Sequence, residues 1–204
     1  MMEKVIYGKK LGMSQHIDAD GIVTPVTLVK VMPLTVIKKL NNNKVDSILI
    51  GMNEVEEKKL NKPKIGLFKK NNTKCFKYIR EFKLSDIDSY NSNDEIGISN
   101  FEENEKIHVR GKNIGKGFAG TIKRHHFSRG PMTHGSKNHR LPGSIGGGTD
   151  PGRVFKGTKM GGRLGNKYIT MKNLIILKID SEKELILIKG SIPGKKNNLV
   201  EIFN

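Results

Sequence analysis

Apolar and polar positions alternate in short runs along much of the chain, and turn-forming residues bound the runs. Thr24 to Val31 is rich in β-branched side chains, while Val45 to Met52 and Lys77 to Lys83 sit between polar or glycine-containing turns. Alternation is clearest in Tyr78-Ile79-Arg80-Glu81-Phe82. Leu174 to Ile179 and Glu184 to Lys189 flank the polar stretch Asp180-Ser181-Glu182-Lys183, which predicts an antiparallel hairpin. Pro25 has no N–H to give a sheet, so an edge or a bulge is expected there. Helical periodicity is scarce, and short helices are predicted only over Glu54 to Leu60 and Phe118 to His125. Several short strands with little helix predict a mainly β fold. Closing the sheet would remove its exposed edges, so a small β-barrel is the expected architecture.

Between Arg110 and Lys167 this pattern stops. The 58 residues from 110 to 167 hold 15 of the 23 glycines and only 12 apolar side chains, among them Ile114, Phe118, Phe127, Leu141 and Phe155. So few apolar groups cannot offset the conformational entropy of ordering a segment of that length, so it is either disordered or shaped by a partner. The chain is therefore expected to form a discontinuous globular domain, 1–109 with 168–204, carrying an inserted extension at 110–167.

Charge says which partner. The whole chain carries 37 Lys and Arg against 20 Asp and Glu, a formal net charge of +17. Residues 110–167 contribute 13 of the basic groups and one acid, Asp150, for +12, and the other 146 residues contribute only +5. A cationic segment of this density calls for a polyanion, with affinity falling steeply as salt rises. Its glycines and prolines are placed at intervals, as in Gly115, Gly117, Gly120, Pro142-Gly143, Pro151-Gly152, Gly161-Gly162 and Gly165. Glycine lets backbone amides approach phosphates closely, and the interleaved Arg124, Arg140, Arg153 and Arg163 can fork onto phosphates or stack on unpaired bases. Shape-reading of folded RNA fits this better than DNA, for which no helix-turn-helix or basic zipper is visible. A flexible linker is the plain alternative.

Enzyme motifs fail on inspection. Gly115-Lys116-Gly117-Phe118-Ala119-Gly120 satisfies G-x-G-x-x-G after a possible strand at Ile107 to Val109, but no carboxylate for a ribose follows about twenty residues on and no βαβ pattern surrounds it. The spacing of Gly111, Gly115 and Lys116 also fails the P-loop pattern. His108, His125, His126, His134 and His139 lack a Cys pair or a His-Glu-x-x-His, so hydrogen bonding or stacking on RNA suits them better than a metal. The acidic clusters Asp86 to Asp94 and Glu102 to Glu105 read as solvated loops, so no catalytic residue, metal site, cofactor or small-molecule substrate is expected. The single Cys75 excludes an intramolecular disulfide, and neither a signal peptide nor a membrane span is expected.

Several longer stretches share one likeness. Gly8-Lys9-Lys10-Leu11-Gly12-Met13, Pro25-Val26-Thr27, the run from Gly115 to Arg124, Leu141-Pro142-Gly143-Ser144-Ile145-Gly146, Pro151-Gly152-Arg153-Val154-Phe155-Lys156-Gly157 and Lys189-Gly190-Ser191-Ile192-Pro193-Gly194 resemble, in order, the bacterial type of large-subunit ribosomal protein L3. The resemblance implies a translation-factor-type β-barrel with a long, mostly irregular Gly/Arg/Lys-rich extension running through ribosomal RNA toward the peptidyl transferase centre. It also implies a structural role in the large subunit, an early part in assembly, neighbouring large-subunit ribosomal proteins as partners, no membrane partner, and a ribosome-bound location in cytoplasm or organelle matrix. Matched to its motifs, the RNA-binding side chains would be Lys9, Lys10, Lys116, Lys123, Arg124 and Arg129, then His134, Lys137, His139 and Arg140, and finally Arg153, Lys156, Lys159 and Arg163. Ser144, Ile145, Gly146, Gly147, Gly148 and Thr149 would form the inner tip. Some relatives carry a methylated glutamine where this chain has Gly147, a modification that glycine cannot receive.

Overall fold

The computed structural model describes residues 4–40, 47–83 and 90–204. It divides into two compact units, Met1–Lys112 with Tyr168–Asn204, and Asn113–Lys167. The expected boundary at Arg110 thus falls inside a strand, because β7 runs Lys106–Lys112. No described helix is long and apolar enough to cross a membrane.

In chain order the strands of the first unit are β1 (Val5–Ile17), β2 (Val23–Met32), β3 (Leu34–Leu40), β4 (Ser47–Glu54), β5 (Phe76–Phe82), β6 (Glu95–Ile96), β7, β10 (Tyr168–Asp180), β11 (Leu185–Lys189) and β12 (Leu199–Phe203). Six of them close into a ring ordered β1, β12, β7, β10, β11, β2, all neighbours antiparallel. The other four form a sheet ordered β5, β4, β3, β6. The fold is mainly β, as the alternation indicates.

Inward alternation builds the core. Ile6, Val29, Ile107, Val109, Ile176, Ile186, Ile188, Val200 and Ile202 from the ring join Leu34, Val36, Ile48, Ile50, Met52 and Phe82 from the second sheet in one buried cluster. Full burial of such a side chain stabilises by about 1.5–3 kcal/mol. Gly8 lies within this packing because a Cβ there would overlap Val29 and the Lys30 backbone. A second cluster, Ile37, Phe68 and Phe76, places helix α1 (Lys62–Lys70) against the sheet, and a Cβ at Gly51 would run into the Phe76 ring.

Several local expectations hold. The hairpin of β10 and β11 pairs Asp180 with Leu185 around the polar turn, β2 covers Thr24 to Val31, and β5 covers the Lys77 to Lys83 run up to Phe82. The start of the Val45 to Met52 run, at residues 45 and 46, lies outside the described residues, as do residues 86–89 of the Asp86 to Asp94 cluster. Pro25 also sits as expected: it pairs with Gln15 of β1, but the β11 ladder stops at Val26 and Lys189, so β2 is an edge on that side and the missing N–H breaks no ladder bond, while its carbonyl accepts the Gly190 N–H at 2.8 Å. Other expectations are corrected. Glu54 to Leu60 holds only a 3-10 turn at Glu57–Lys59 after the end of β4, and the helix comes later, with Pro63 in its first turn. Phe118-Ala119 is not helical but forms strand β8, paired with β9 (Gly162–Arg163), and only Thr121–His125 coils into α2.

Candidate nucleic-acid interface

The second unit is organised at its root and open beyond it. At the root Asn113 donates its N–H to Lys167, and the Lys167 N–H returns to the Asn113 side chain at 2.8 Å. Lys116 donates to Leu164, and Leu164 to Gly117, at 2.8 and 2.9 Å. Gly165 is held at φ +76° against the Ile114 carbonyl, a conformation and a clearance that admit only glycine. Above these pairs the Gly115-to-Gly120 motif becomes a two-residue strand and a one-turn helix, which leaves no βαβ unit to hold a dinucleotide.

Few side chains of this insert are buried. Ala119 is the buried apolar residue, and Thr121 is buried with its hydroxyl unpartnered. Eight of the 12 apolar side chains are exposed, with Phe118 at 79% and Leu141 at 66%. Between residues 113 and 167 stand 11 Lys and Arg and the single Asp150, a net +10. Every ion pair found among the described residues lies in the first unit, so no paired carboxylate screens the insert's cations.

Lys116, Lys123, Arg129, His134, Lys137, Arg140, Arg153, Lys156, Lys159 and Arg163 are all exposed. Two predicted contacts also build the insert. The Arg124 guanidinium donates to the Met160 carbonyl at 2.7 Å, where the His125 ring also donates at 3.0 Å, which ties α2 to the returning chain. The His139 ring donates to Pro131 at 2.8 Å, and Gly130 N–H to His139, which closes a loop at 130–139. Arg129 lines an open hollow of about 410 Å³ with Phe127, Asn138 and Leu141, a feature that spacing alone could not reveal.

The tip residues Ser144 to Thr149 are all exposed. A Cβ at Gly147 would come to 2.9 Å from the Asp150 carbonyl, so the turn closes tightly where a side chain would press on it. Of the two expected RNA-contacting lysines in the first unit, Lys9 is half-buried on β1. Lys10 is already engaged: its ammonium donates to the carbonyls of Ile192 at 2.8 Å and Gly194 at 3.1 Å, and burial holds its pKa below the usual lysine value. No group of three or more His, Cys, Asp or Glu gathers among the described residues.

A unit with a full core, joined to a cationic insert that exposes its own apolar groups, defines a noncatalytic architecture of structural type. Comparison gives the particular case. The family model for ribosomal protein L3 matches residues 27–185. The chain is 47% identical over 199 residues to large ribosomal subunit protein uL3c of Porphyra purpurea, covering 97% of each. It is 48% identical over 200 residues to uL3c of Gracilaria tenuistipitata var. liui, covering 97% of this chain and 98% of that one. Against large ribosomal subunit protein uL3 of Prochlorococcus marinus (strain MIT 9515) it is 47% identical over 199 residues, 97% of this chain and 92% of that one. The chain belongs to the ribosomal protein L3 family. It is a structural, ribosome-bound constituent of the large subunit and not an enzyme.

Proposed function

We propose that the insert binds large-subunit ribosomal RNA, supports an early step of subunit assembly and organises RNA near the peptidyl transferase centre without performing chemistry. The closed ring acts as a translation-factor-type β-barrel that docks among RNA and neighbouring large-subunit proteins. The RNA-penetrating extension is the second unit, Asn113–Lys167. Its contacts are the exposed Lys116, Lys123, Arg129, Lys137 and Arg140, with His134 and His139, then Arg153, Lys156, Lys159 and Arg163. Arg124 serves both roles, since one of its five N–H donors holds Met160 and the rest are free for phosphate. Lys9 and Lys10 add contacts from β1, and Ser144 to Thr149 lie innermost.

One observation carries this: 11 cations, one acid and eight exposed apolar side chains share a segment held by hydrogen bonds mainly at its root. Such a surface reaches low free energy only against a ligand that supplies both negative charge and stacking faces, as unpaired RNA does. The test is competition assembly of large subunits. Arg140→Glu or Arg153→Glu is expected to weaken incorporation well beyond Lys58→Glu or Lys59→Glu, which change exposed cations beside α1. Equal effects refute the assignment, and loss of the chain from subunits in a high-salt wash favours a free RNA chaperone instead.

A further inference from the structure

The first unit contains a polar cavity that the insert's role leaves unused. Tyr7, Glu201 and Arg110 stand side by side on β1, β12 and β7, in register across the ring. Tyr78, Arg80 and Phe82, alternate residues of β5, line the same space from the second sheet, with Glu81, whose carboxylate accepts from the Ser47 hydroxyl at 2.7 Å, and Lys112, Tyr168, Asn198 and Leu199 complete it. The cavity measures about 420 Å³, within the roughly 300–1,000 Å³ of small-ligand sites.

Its chemistry is mixed in an informative way. Glu201 is 8% exposed, and its carboxylate takes part in no direct ion pair found among the described residues. Burial raises its pKa first of all, while Arg110, a hydrogen bond from the Tyr7 hydroxyl and Arg80 act the other way. A carboxylate has about four acceptor positions, and the Tyr7 hydroxyl fills one. Glu201 lines the cavity, so its further acceptor positions can take hydrogen bonds from a bound ligand. Around the rim Arg80, Arg110 and Lys112 require an anion, and Tyr78 and Tyr168 offer ring faces, with Arg110 already over the Tyr168 ring at 5.4 Å. A cationic side chain would meet three like charges, and a simple anion would leave the Glu201 acceptors unfilled.

One ligand class matches Glu201, the three cations and the tyrosine rings at once. We propose that this cavity is a site for an unpaired guanine nucleotide of RNA: the base stacks on tyrosine, its N1–H and N2–H groups donate to Glu201, and its phosphate faces Arg80 and Lys112. Guanine is the base whose Watson–Crick edge presents two adjacent donors to a carboxylate, and splayed-out bases held by rings and edge contacts are the usual mode of sequence-specific RNA recognition. The inference rests on the RNA-binding reading above and adds to it a base-reading position outside the insert.

Three of the four tyrosines, Tyr7, Tyr78 and Tyr168, line the cavity, and Tyr90 does not, so the tyrosine rings report on it directly. The full chain, freed of nucleic acid and labelled on its tyrosine rings, is titrated with GMP, AMP and UMP and followed by NMR. GMP is expected to shift the three cavity rings and leave Tyr90 in place, with AMP and UMP markedly weaker. Glu201→Gln is expected to weaken GMP by about tenfold or more, the size of a lost pair of charge-assisted hydrogen bonds, and to erase the preference over AMP. Lys112→Glu, an exposed change that spares the core, is expected to weaken all three nucleotides alike. No ring shift at millimolar GMP, equal shifts for all three, or unchanged GMP binding in either variant overturns the proposal. Binding of a ribosomal RNA fragment is measured on the same preparations. If Arg140→Glu weakens it while GMP fails to bind, the cavity assignment alone falls; if Arg140→Glu has no effect, the fault lies with the insert.

Discussion

Removing Asn113–Lys167 and joining Lys112 to Tyr168 through an Asn-Gly pair should leave a folded protein, and a more stable one. The two residues flanking the cut are partners in the β7–β10 ladder, so they stand opposite each other at the about 4.5–5.5 Å of an antiparallel pair. A two-residue turn spans that gap in the geometry hairpins favour. The ring's six ladders and the main buried cluster use only residues of the first unit. The deletion therefore removes no side chain of the main buried cluster and shortens a closed loop of 55 residues to about two. Loop-closure entropy grows by about 0.6 kcal/mol per doubling, so the gain is on the order of 3 kcal/mol. For a domain of this size that raises Tm by roughly 6–12 °C. Thermal unfolding followed by circular dichroism reads the shift, and binding to a ribosomal RNA fragment is measured alongside. A broad, noncooperative melt, or a lowered Tm, would refute the independence of the first unit. Retained RNA affinity with an unchanged salt slope would refute the role given to the insert.

Other outcomes follow from single residues. In the intact chain, if about eight insert cations meet phosphates, log affinity for RNA should fall with log salt at a slope of roughly −6 to −7, and Arg153→Gln should reduce that slope by about one in a filter-binding series. Lys10→Met keeps the aliphatic stem but strips the donors from the carbonyls of Ile192 and Gly194, and should cost about 1.5–3 kcal/mol in urea unfolding, with amide exchange at 190–198 speeding up first. Gly51→Ala drives a methyl group into Phe76 and should cost about 1–3 kcal/mol, with Phe76→Leu in the same chain recovering part of it. Glu201 has a folded pKa above its unfolded value, so the native state binds that proton more tightly and stability should fall as pH climbs from about 4.5 through the raised value. Glu201→Gln lacks this component, and its stability advantage should be present at pH 8 and gone at pH 4; a constant difference between wild type and variant would contradict the burial argument.

Much of the sheet could be read from alternation, and the failures have physical causes. β10 and β11 were legible because two short apolar runs, Leu174–Leu177 and Leu185–Ile188, flank the polar stretch Asp180–Lys183 at hairpin spacing. β1 was not, although it is one of the longest strands. Gly8 and Gly12 interrupt its apolar pattern, the first for lack of room beside Val29, and a register shift between Lys10 and Gly12 breaks the period of two. β3 hides its phase for a similar reason: Val36 and Ile37 are both buried, in different clusters, beside a shift between Val36 and Lys38. Helix was sought in Glu54 to Leu60, where the better helix formers lie, while packing of Phe68 against the sheet fixes it at Lys62–Lys70 despite Gly66. The insert's cations were legible from charge alone. The second use of Arg124 and His139 as internal ties was not, nor was the Glu201 cavity, whose walls come from strands up to 194 positions apart along the chain, from Tyr7 to Glu201.

The seam between β1 and β12 sets a timetable. Val5 pairs with Phe203, so the first of the described strands waits for the last of them. During synthesis the ring cannot close until β12 has left the ribosome that makes it, and meanwhile β1 and β7 each keep an edge open to unwanted pairing. The cationic insert emerges before that closure, when the nascent protein is least protected. A premature stop ahead of Leu199 would trap the molecule at this stage, with an intact insert attached to a sheet that has no way to shut.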